Sequence, residues 1–480
     1  MLFFPTTDED AAYFRSQGYT GSIDDMHFKA LGDLGYTGSL NDRIRACLTF
    51  KYGSYYEAMR DLRNGTSVFA LSSYIINGFD PALVFDFKGD YFRKSATDST
   101  FAASITHARA SSATMMNSSG TLVTVGNNVP RTGHHIYNGS AWVNEGILHE
   151  SEARTNLQVQ SGDFSNSAWS KSAVTVDTSY VAPDGTSTAS KFTSTGAAGA
   201  SGVYDSNSKG TGMSLTCFMK AGSSGVYGWI EGIVGGASPY GVFDLVSGTV
   251  VRSQECDASI EPVGNGWFRC VLANTTNSIS FFSVGGSDNT YTSRPWGFSN
   301  LTQDKFIYAW GAQLEAGPTP SSYIPTAGAT ATRAADLLTV PAASLPYDNT
   351  NMSIQMDGKM TGDTLTPVRW LLDANNSILL ETGSNNFSFT QEAVGTVDTV
   401  TGGSFTSGTN VPFNLATRNG STFINGAISG TALTANTTPT ALPNLSSTDL
   451  NLGYGFMGTI GQFRMWSEDL TDVGIAEAST

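Results

Sequence analysis

The chain has 480 residues, of which 40% are hydrophobic and 14% charged, and its formal net charge is −15. This length supports about two to four domains with their own cores, and the hydrophobic fraction excludes an intrinsically disordered chain. The acidic balance, with basic residues no more clustered than Arg43 and Arg45, argues against nucleic acid and against anionic ligands such as phosphates. No run of 18 apolar residues occurs, so no membrane-spanning helix is predicted.

The composition is typical of a chain with many turns and short strands, because it contains 52 glycines and much Ser, Thr and Asn. The four cysteines follow no metal-binding or redox spacing, so free thiols are expected, as in a protein that folds in a reducing cytoplasm. A bridge between Cys256 and Cys270 is the alternative in an oxidising compartment. The first ten residues contain no Lys or Arg, so no secretory signal is predicted.

Residues 1–75 differ from the rest of the chain. The unit Gly-Tyr-Thr-Gly-Ser at 18–22 recurs at 35–39, and each copy is a turn followed by residues that favour a helix start. After the second copy, Ile44 and Leu48 repeat at helical spacing. These patterns predict a small helical module, which is either a docking element or a cap on the following β-structure.

Short β-strands are predicted from residue 76 onward. Residues 76–156 are interpreted as a β-rich connecting region, with strands at 82–87 and 121–125, where β-branched and aromatic residues are concentrated. In 157–335 one predicted strand follows another, with Gly and Ser turns at intervals typical of a jelly roll.

The clearest predicted strand covers residues 306–315. Strict alternation along it would place five side chains on one face: Phe306, Tyr308, Trp310, Ala312 and Leu314. We expect this face to lie in the core of a sandwich rather than to bind a ligand.

A Pro- and Gly-rich connector at 317–328 indicates a domain boundary near residue 336, and the strand-and-turn pattern then continues through 336–480. Asn425-Gly426, between two apolar runs, predicts the type I′ turn of a hairpin. A closing strand is predicted at 458–466 and a terminal turn or short helix at 470–478. The predicted fold class is mainly β, with tandem antiparallel β-sandwich domains and a small helical N-terminal module.

Catalytic motifs are sparse, since the sequence contains no HExxH, GxSxG or P-loop. The adjacent His134 and His135 would point to opposite sides of a strand, so a two-histidine metal site is not expected. Residues 453–458 match GxGxxG, but a predicted strand rather than a helix follows them. We interpret this match as a glycine-rich turn, because a dinucleotide site needs a helix N-terminus there.

Acidic residues provide two further candidates. Glu255, Asp257 and Glu261 leave a glycosidase open, although their spacing does not show whether two of them face each other across a cleft. Asp163 and Asp184, in predicted loops, are candidate ligands for a structural calcium ion. No other cofactor is expected.

Aromatic residues in a Gly-rich stretch are the candidates for carbohydrate binding. Tyr227, Trp229 and Tyr240 would stack on the apolar face of a sugar ring if they are exposed, with polar side chains nearby for the hydroxyls. The alternative is that Trp229 belongs to the core. Trp142 and Trp370 are further candidates.

Nine segments resemble, in consistent order, a cassette of phage and prophage tail or fibre proteins. They are ARASSAT at 108–114, NVPR at 128–131, EARTNL at 152–157, FSNSAWSK at 164–171, APDG at 182–185, VGNGWFRC at 263–270, WGAQLEAG at 310–317, SYIPT at 322–326 and TRAAD at 332–336. The resemblance implies a jelly-roll domain similar to carbohydrate-binding modules at 157–335. Segments 423–426 and 458–466 are similar to parts of concanavalin A-like or laminin-G-like sandwiches, which implies such a domain at 336–480.

The resemblance implies a structural protein of a bacteriophage virion and not an enzyme. The preferred interpretation is a tail fibre or spike that is assembled in the bacterial cytoplasm, displayed on the particle, and binds host surface glycans as a homotrimer. Residues 1–75 would contact other virion proteins. The alternatives are a capsid-attached head fibre or decoration protein, a polysaccharide-degrading accessory enzyme, and an adaptor without a ligand. Neither nucleic acid nor membrane insertion is expected.

Overall fold

The computed structural model describes Lys29 and residues 74–480, except for positions 77, 96, 207–209, 234–237, 289–293, 297–299, 363–364, 384–385 and 407. The predicted helical module and Cys47 therefore lie almost entirely outside the described residues. The chain divides into two units, 1–81 and 82–480, and in the first an antiparallel bridge joins Ile76 and Phe79. None of the described helices is long and apolar enough to cross a membrane.

The first part of the second unit contains eleven short strands and one helical turn. In chain order they are β1 (Leu83–Asp86), β2 (Tyr91–Lys94), β3 (Thr97–Ser99), α1 (Phe101–Ser104), β4 (Thr106–Ala108), β5 (Ala113–Met116), β6 (Leu122–Val125), β7 (Arg131–Thr132), β8 (His135–Tyr137), β9 (Trp142–Asn144), β10 (Ile147–Glu150) and β11 (Arg154–Asn156). The strands predicted at 82–87 and 121–125 are present as β1 and β6.

The middle part is entirely β in its described elements. They are β12 (Ser170–Ser172), β13 (Val174–Tyr180), β14 (Ala189–Ser194), β15 (Ser201–Asp205), β16 (Met213–Ala221), β17 (Tyr227–Ile233), β18 (Tyr240–Asp244), β19 (Thr249–Gln254), β20 (Asp257–Pro262), β21 (Trp267–Ala273), β22 (Phe281–Ser287) and β23 (Phe306–Ala316).

The last part contains longer strands and ends in a helix. Its elements are β24 (Ala331–Arg333), β25 (Leu337–Val340), a 3₁₀ turn (Ala342–Ser344), β26 (Asn351–Gly362), β27 (Thr366–Asp373), β28 (Asn376–Thr382), β29 (Phe387–Ala393), β30 (Thr396–Gly402), β31 (Gly408–Gly420), β32 (Ile424–Ile428), β33 (Thr431–Ala432), β34 (Leu450–Tyr454), β35 (Met457–Trp466) and α2 (Thr471–Ala478). The predicted closing strand and terminal helix correspond to β35 and α2.

The middle strands form a jelly roll of two six-stranded sheets, in the orders β13-β14-β23-β16-β21-β20 and β12-β15-β22-β17-β18-β19. Each sheet interleaves strands from early and late in this segment, as two nested Greek keys require. The core between the sheets contains Phe164, Trp169 and Phe192, all less than 2% exposed. The predicted jelly roll is therefore confirmed.

The second sandwich is built from both ends of the unit. A 10-stranded sheet has the order β3-β2-β1-β35-β26-β31-β32-β33, with β10 paired to β35 and β7 to β10, and a 7-stranded sheet has the order β30-β29-β28-β27-β34-β25-β4. Their shared core includes Phe85, Trp370 and Phe463, and the rings of Phe85 and Phe463 stack at 6.0 Å between centroids. Trp370 is thus a core residue and not a candidate for stacking on a sugar.

This sandwich corrects the interpretation of 76–156 as a connecting region. β1 and β10 both pair with β35, and β4 pairs with β25, so this segment supplies strands to the C-terminal sandwich. All four residues of β1 are buried, as expected for an inner strand. The sequence of the jelly roll is therefore inserted between the two segments that form the C-terminal sandwich.

The alternation predicted for 306–315 is interrupted at Gly311. This residue has φ 63°, and the pairing of β16 with β23 shifts register beside it. Before the shift, Ile307 and Ala309 face the jelly-roll core, while Tyr308 and Trp310 pack in a cluster on the outer face of the sheet. The prediction that Phe306, Tyr308 and Trp310 share a face with Ala312 and Leu314 is wrong, because a β-bulge inverts the faces.

The hairpin predicted at Asn425-Gly426 is also displaced. Both residues lie within β32, opposite Arg418 and Thr417, and the chain turns at Ser429 and Gly430. Gly426 is required there because a Cβ would lie 2.0 Å from Cδ2 of Phe389. A glycine occupies this position because of close packing against Phe389 and not because of a turn.

The GxGxxG match at 453–458 forms the end of β34, a turn and the start of β35, as the sequence predicted. Of the cysteines that the structure describes, Cys217, Cys256 and Cys270 are free thiols, so the alternative Cys256–Cys270 bridge is not formed. Cys217 and Cys270 face each other across β16 and β21. Burial raises the pKa of Cys256 to about 12, and it raises the pKa of the other two thiols as well.

Candidate functional site

The aromatic residues first proposed to bind a sugar are placed in a packed cluster. Trp229 is fully buried and donates its indole N–H to the carbonyl of Gly286 at 3.0 Å, and Tyr240 is 4% exposed. Tyr227 is half-buried and packs against this cluster. A Cβ at Gly285 would lie 2.2 Å from Cζ2 of Trp229, so the neighbouring glycines make room for the ring. Trp229 and Tyr240 therefore offer no free ring face, which corrects that prediction.

The two loop aspartates complete local turns. Asp163 Oδ1 accepts a hydrogen bond from the backbone N–H of Ser165 at 2.9 Å, and Asp184 Oδ1 accepts one from Thr186 N–H at 2.9 Å. These are Asx turns, in which the carboxylate stabilises its own loop. Within the part of the chain that the structure describes, no group of three or more His, Cys, Asp or Glu side chains is arranged to hold a metal ion.

The three neighbouring carboxylates have separate partners. Glu255 accepts a hydrogen bond from the hydroxyl of Thr276, and Asp257 accepts one from the amide of Asn274 at 3.3 Å. Glu261 instead lines a cavity of about 330 Å³. Because they do not share one cleft, they do not form the facing pair that glycoside hydrolysis requires.

The cavity lies where the two sandwiches meet. Its walls come from hairpins β5–β6 and β8–β9, from β20 and the beginning of β21, from residues 320–323, and from the C-terminal sandwich at Thr361, Asn410 and Met457. The two hairpins cover an aromatic cluster on the outer face of the jelly roll, which includes Phe218, Trp310 and Tyr323. The cavity therefore lies at the edge of the two hairpins, beside the part of the outer jelly-roll face that they cover.

One wall is aromatic. Trp142 is half-buried, and its ring centroid lies 5.3 Å from that of Tyr137. Two glycines with positive φ lie against the indole, since a Cβ would lie 2.3 Å from it at Gly120 and 2.9 Å at Gly264. Two tight turns thus fix the position of Trp142 at the edge of the cavity.

The jelly roll contributes a pair of charged side chains to the lining. Glu261 on β20 and Arg269 on β21 are cross-strand partners. Arg269 Nη2 donates to the carbonyl of Ser321 at 2.5 Å, and Asn410 Nδ2, from the C-terminal sandwich, donates to Glu261 Oε1 at 3.3 Å. Burial raises the pKa of Glu261, while the charge of Arg269 and the hydrogen bond from Asn410 oppose that rise.

His134 and His135 also line the cavity. Nδ1 of His134 accepts the backbone N–H of Met116 at 3.3 Å, and Nδ1 of His135 lies 2.8 Å from the carbonyl of Gly133. Burial, assisted by the charge of Arg131, lowers the pKa of His134 to about 3. His134 is therefore a neutral group that holds hairpin β5–β6 in place.

A buried ionic network beside the cavity is built from four cassette residues and Glu150. Arg109 Nη1 and Arg131 Nη2 lie 2.9 and 2.5 Å from the two carboxylate oxygens of Asp336. Arg131 Nη1 and Arg333 Nε lie 2.7 and 3.0 Å from Glu150 Oε2. All five residues are at most 3% exposed. The network joins three segments far apart in sequence, so these cassette residues have a structural role.

The pKa values in this network follow from burial and ion pairing. Burial alone would raise the pKa of Asp336, but the hydrogen bond from His107 and the charge of Arg131 hold it well below its usual range. Burial likewise opposes ionisation of Glu150, but Arg333 and Arg131 lower its pKa to about 2. Glu150 lines the cavity too, but as a carboxylate already neutralised by two arginines.

The lining combines aromatic rings with a small number of oriented polar groups. Glu150 and Glu261 are the acidic residues among the described ones that line the cavity, and Glu150 is held in ion pairs. Glu261 is the other carboxylate, in a lining that also contains the aromatic rings of Tyr137 and Trp142. An aromatic ring next to a few oriented polar groups is the pattern of a site for a small polar ligand with an apolar face.

Comparison with known proteins gives limited results. No family model and no curated protein matches the chain. Among solved structures, the receptor binding domain of botulinum neurotoxin mosaic serotype C/D is 16% identical, with a TM-score of 0.25 over 30% of this chain and 39% of that one. The serotype G binding domain is 13% identical, with a TM-score of 0.25 over 29% and 39%. The chain thus spans about two fifths of the length of these structures.

The sequence identified part of this site. Trp142 and Glu261 were both candidates, but in separate proposals, and Tyr137, Arg269 and Asn410 were missed. A hairpin alignment of 257–273 would have placed Arg269 opposite Glu261, because the intervening Gly-Asn-Gly forms the turn. Asn410 had no comparable signal, since it belongs to the other sandwich.

Proposed function

We propose that the chain binds a glycan of the bacterial cell surface and that the cavity between the two sandwiches holds the saccharide. The observation that carries this proposal is that the aromatic rings of Trp142 and Tyr137 and the charged side chains of Glu261 and Arg269 line the same cavity. A pyranose ring has an apolar C–H face that stacks on an aromatic ring, and its hydroxyls need directed donors and acceptors. Both kinds of group are fixed here by turns and by cross-strand pairing.

We further propose that the chain is a structural protein of a bacteriophage virion, as a tail fibre or spike. This rests on the cassette resemblance, which covers residues 100–336 in consistent order. The cassette residues Arg109, Arg131, Arg333 and Asp336 meet in one network, which supports treating the separated segments as one folded unit. Residues 1–75 would contact other virion proteins, and a homotrimer would multiply weak sugar contacts.

A head fibre or decoration protein on the capsid is the second candidate, because the same domains would serve there. A polysaccharide-degrading enzyme is disfavoured, because Glu261 has no second unpaired carboxylate opposite it among the described lining residues. Electron cryomicroscopy of the particle distinguishes the positions. Density for the two sandwiches at the tail tip supports the fibre, and density on the capsid shell supports the head fibre.

Glycan binding is tested with the purified full-length chain on a panel of bacterial surface polysaccharides. We expect saturable binding that falls by about 10-fold or more in Trp142→Ala, since an aromatic contact with a sugar contributes on the order of 1–2 kcal/mol. Tyr454→Ala is the matched control, because Tyr454 is 49% exposed on the C-terminal sandwich and does not line the cavity. Binding unaffected by Trp142→Ala would contradict the cavity as the site.

A further inference from the structure

We propose that the cavity selects an electrically neutral saccharide with two adjacent hydroxyls, one accepting a hydrogen bond from Arg269 and the other donating one to Glu261. This inference rests on the proposed glycan site and names the class of its ligand. It excludes uronic acids and phosphorylated sugars as preferred ligands.

The charges of the two residues balance each other in the cavity wall. Glu261 and Arg269 occupy directly opposite positions on β20 and β21. Side chains at such positions start from Cβ atoms about 4.5–5.5 Å apart, so their polar ends reach neighbouring atoms of one ligand. A carboxylate only accepts and a guanidinium only donates, and adjacent hydroxyls can satisfy both at once.

The guanidinium of Arg269 is held in place, but not all of its hydrogen-bond donors are used. Its Nη2 is fixed by the carbonyl of Ser321 at 2.5 Å, and its guanidinium lies 5.9 Å from the ring centroid of Phe218. Arg269 lines the cavity, and its contact with the Ser321 carbonyl leaves other N–H donors of the guanidinium for a ligand. Guanidinium donors that are held in place and not fully used are suited to a ligand oxygen.

Glu261 is positioned in the same way. Oε1 accepts from Asn410 at 3.3 Å, which fixes the carboxylate from the side of the C-terminal sandwich. An anionic group placed against Arg269 would also lie close to this carboxylate, and the repulsion would cancel the attraction of the guanidinium. A hydroxyl that donates to Glu261 meets no such repulsion.

The other arginines near the cavity are already neutralised. Arg131 contacts Glu150 and Asp336, and Arg333 contacts Glu150. The remaining polar lining includes the hydroxyl residues Ser322, Thr361 and Thr409, which carry no charge. Among the described lining residues the only Arg or Lys is Arg269, whose charge Glu261 offsets, and the net charge of −15 disfavours an anionic ligand further.

The experiment uses the full-length chain and calorimetric titration with neutral hexose oligosaccharides and with hexuronate oligosaccharides of the same length. We expect the best ligand to be neutral and its affinity to fall by about 10-fold or more in Glu261→Gln, because a hydrogen bond to a charged acceptor is replaced by a weaker one. Arg269→Gln should weaken binding similarly. Glu381→Gln is the control, since Glu381 is a half-buried carboxylate whose pKa is also raised by burial but which lies outside the cavity.

Two results would overturn the inference. If a hexuronate binds more tightly than every neutral ligand and Glu261→Gln strengthens that binding, the neutral class is wrong while the glycan site stands, provided that Trp142→Ala abolishes the binding. If neither class binds in a manner that depends on Trp142, both the inference and the proposed site fail. Retention of the wild-type near-UV circular dichroism in each variant establishes that the fold is intact.

Discussion

Arg131 and Asp336 are 205 residues apart in the chain, yet Nη2 of Arg131 lies 2.5 Å from Oδ2 of Asp336. The same guanidinium lies 2.7 Å from Oε2 of Glu150 on β10. Arg131 and Glu150 precede the jelly roll in the chain, and Asp336 follows it. The contact therefore joins the segment that leads from the C-terminal sandwich into the jelly roll to the segment that leads back.

Asp336→Asn should destabilise the protein by about 3–5 kcal/mol, because it removes the carboxylate paired with buried Arg109 and leaves Arg131 with Glu150 alone. Urea unfolding followed by circular dichroism measures the change. Asp163→Asn is the matched control, since an asparagine oxygen can still accept the hydrogen bond from Ser165. Equal stability of the two variants would contradict a structural role for the network.

Stability should fall as the pH is lowered from 6.5 towards 4. Burial lowers the pKa of His149 from 6.5 to about 4, so in this window the unfolded chain binds a proton that the folded chain does not. The contribution of His149 is complete above pH 6.5 and decreases by about 3 kcal/mol by pH 4. Glu150, with a pKa of about 2 in the folded protein, adds a further loss between pH 4.5 and 2.

Thermal unfolding measured between pH 8 and 4 tests this dependence. His149→Gln removes the titrating group, so its melting temperature should change less over this range than that of the wild type. The same slope in both proteins would assign the acid sensitivity to other groups.

Gly311→Ala should destabilise the jelly roll by about 1–3 kcal/mol, because the position has φ 63° and a Cβ would lie 2.9 Å from Cδ2 of Phe218. Gly225→Ala is a matched control with φ 65° and no atom within 4 Å of the Cβ. The difference between the two free energies of unfolding isolates the crowding against Phe218. No difference would mean that the backbone conformation alone requires glycine at the bulge.

Gly120→Ala should make the free energy of glycan binding less favourable by more than it lowers the free energy of unfolding. The added Cβ would occupy the space of the Trp142 indole and so displace the ring. Gly212→Ala has a similar φ of 67°, against 73° at Gly120, but no neighbour within 4 Å. Saccharide affinity of the two variants, measured by titration, should differ by about 10-fold or more. Equal affinities would show that the position of Trp142 is unimportant for binding.

The sequence predicted the fold class well where local patterns decide it. The strands β1, β6 and β35 follow from β-branched and aromatic runs, and the jelly roll was implied by the resemblance. The features that the sequence did not predict depend on contacts between segments far apart in the chain. The pairing of β1 with β35 joins the beginning of the second unit to its end, and the register shift at Gly311 depends on packing against β16.

The candidate site was harder to predict for a related reason. A Gly-rich stretch around Trp229 suggested exposure, but those glycines accommodate the buried indole. Trp142 is half-buried and lines the cavity, and no local sequence pattern distinguishes it from Trp229. Asn410 approaches Glu261 only after both sandwiches are assembled.

The structure of the full-length chain bound to the best saccharide from the panel tests the central claim most directly. The account predicts a sugar ring packed on Trp142, with adjacent hydroxyls bonded to Glu261 and Arg269. A saccharide bound elsewhere, with the cavity unaltered, would contradict it.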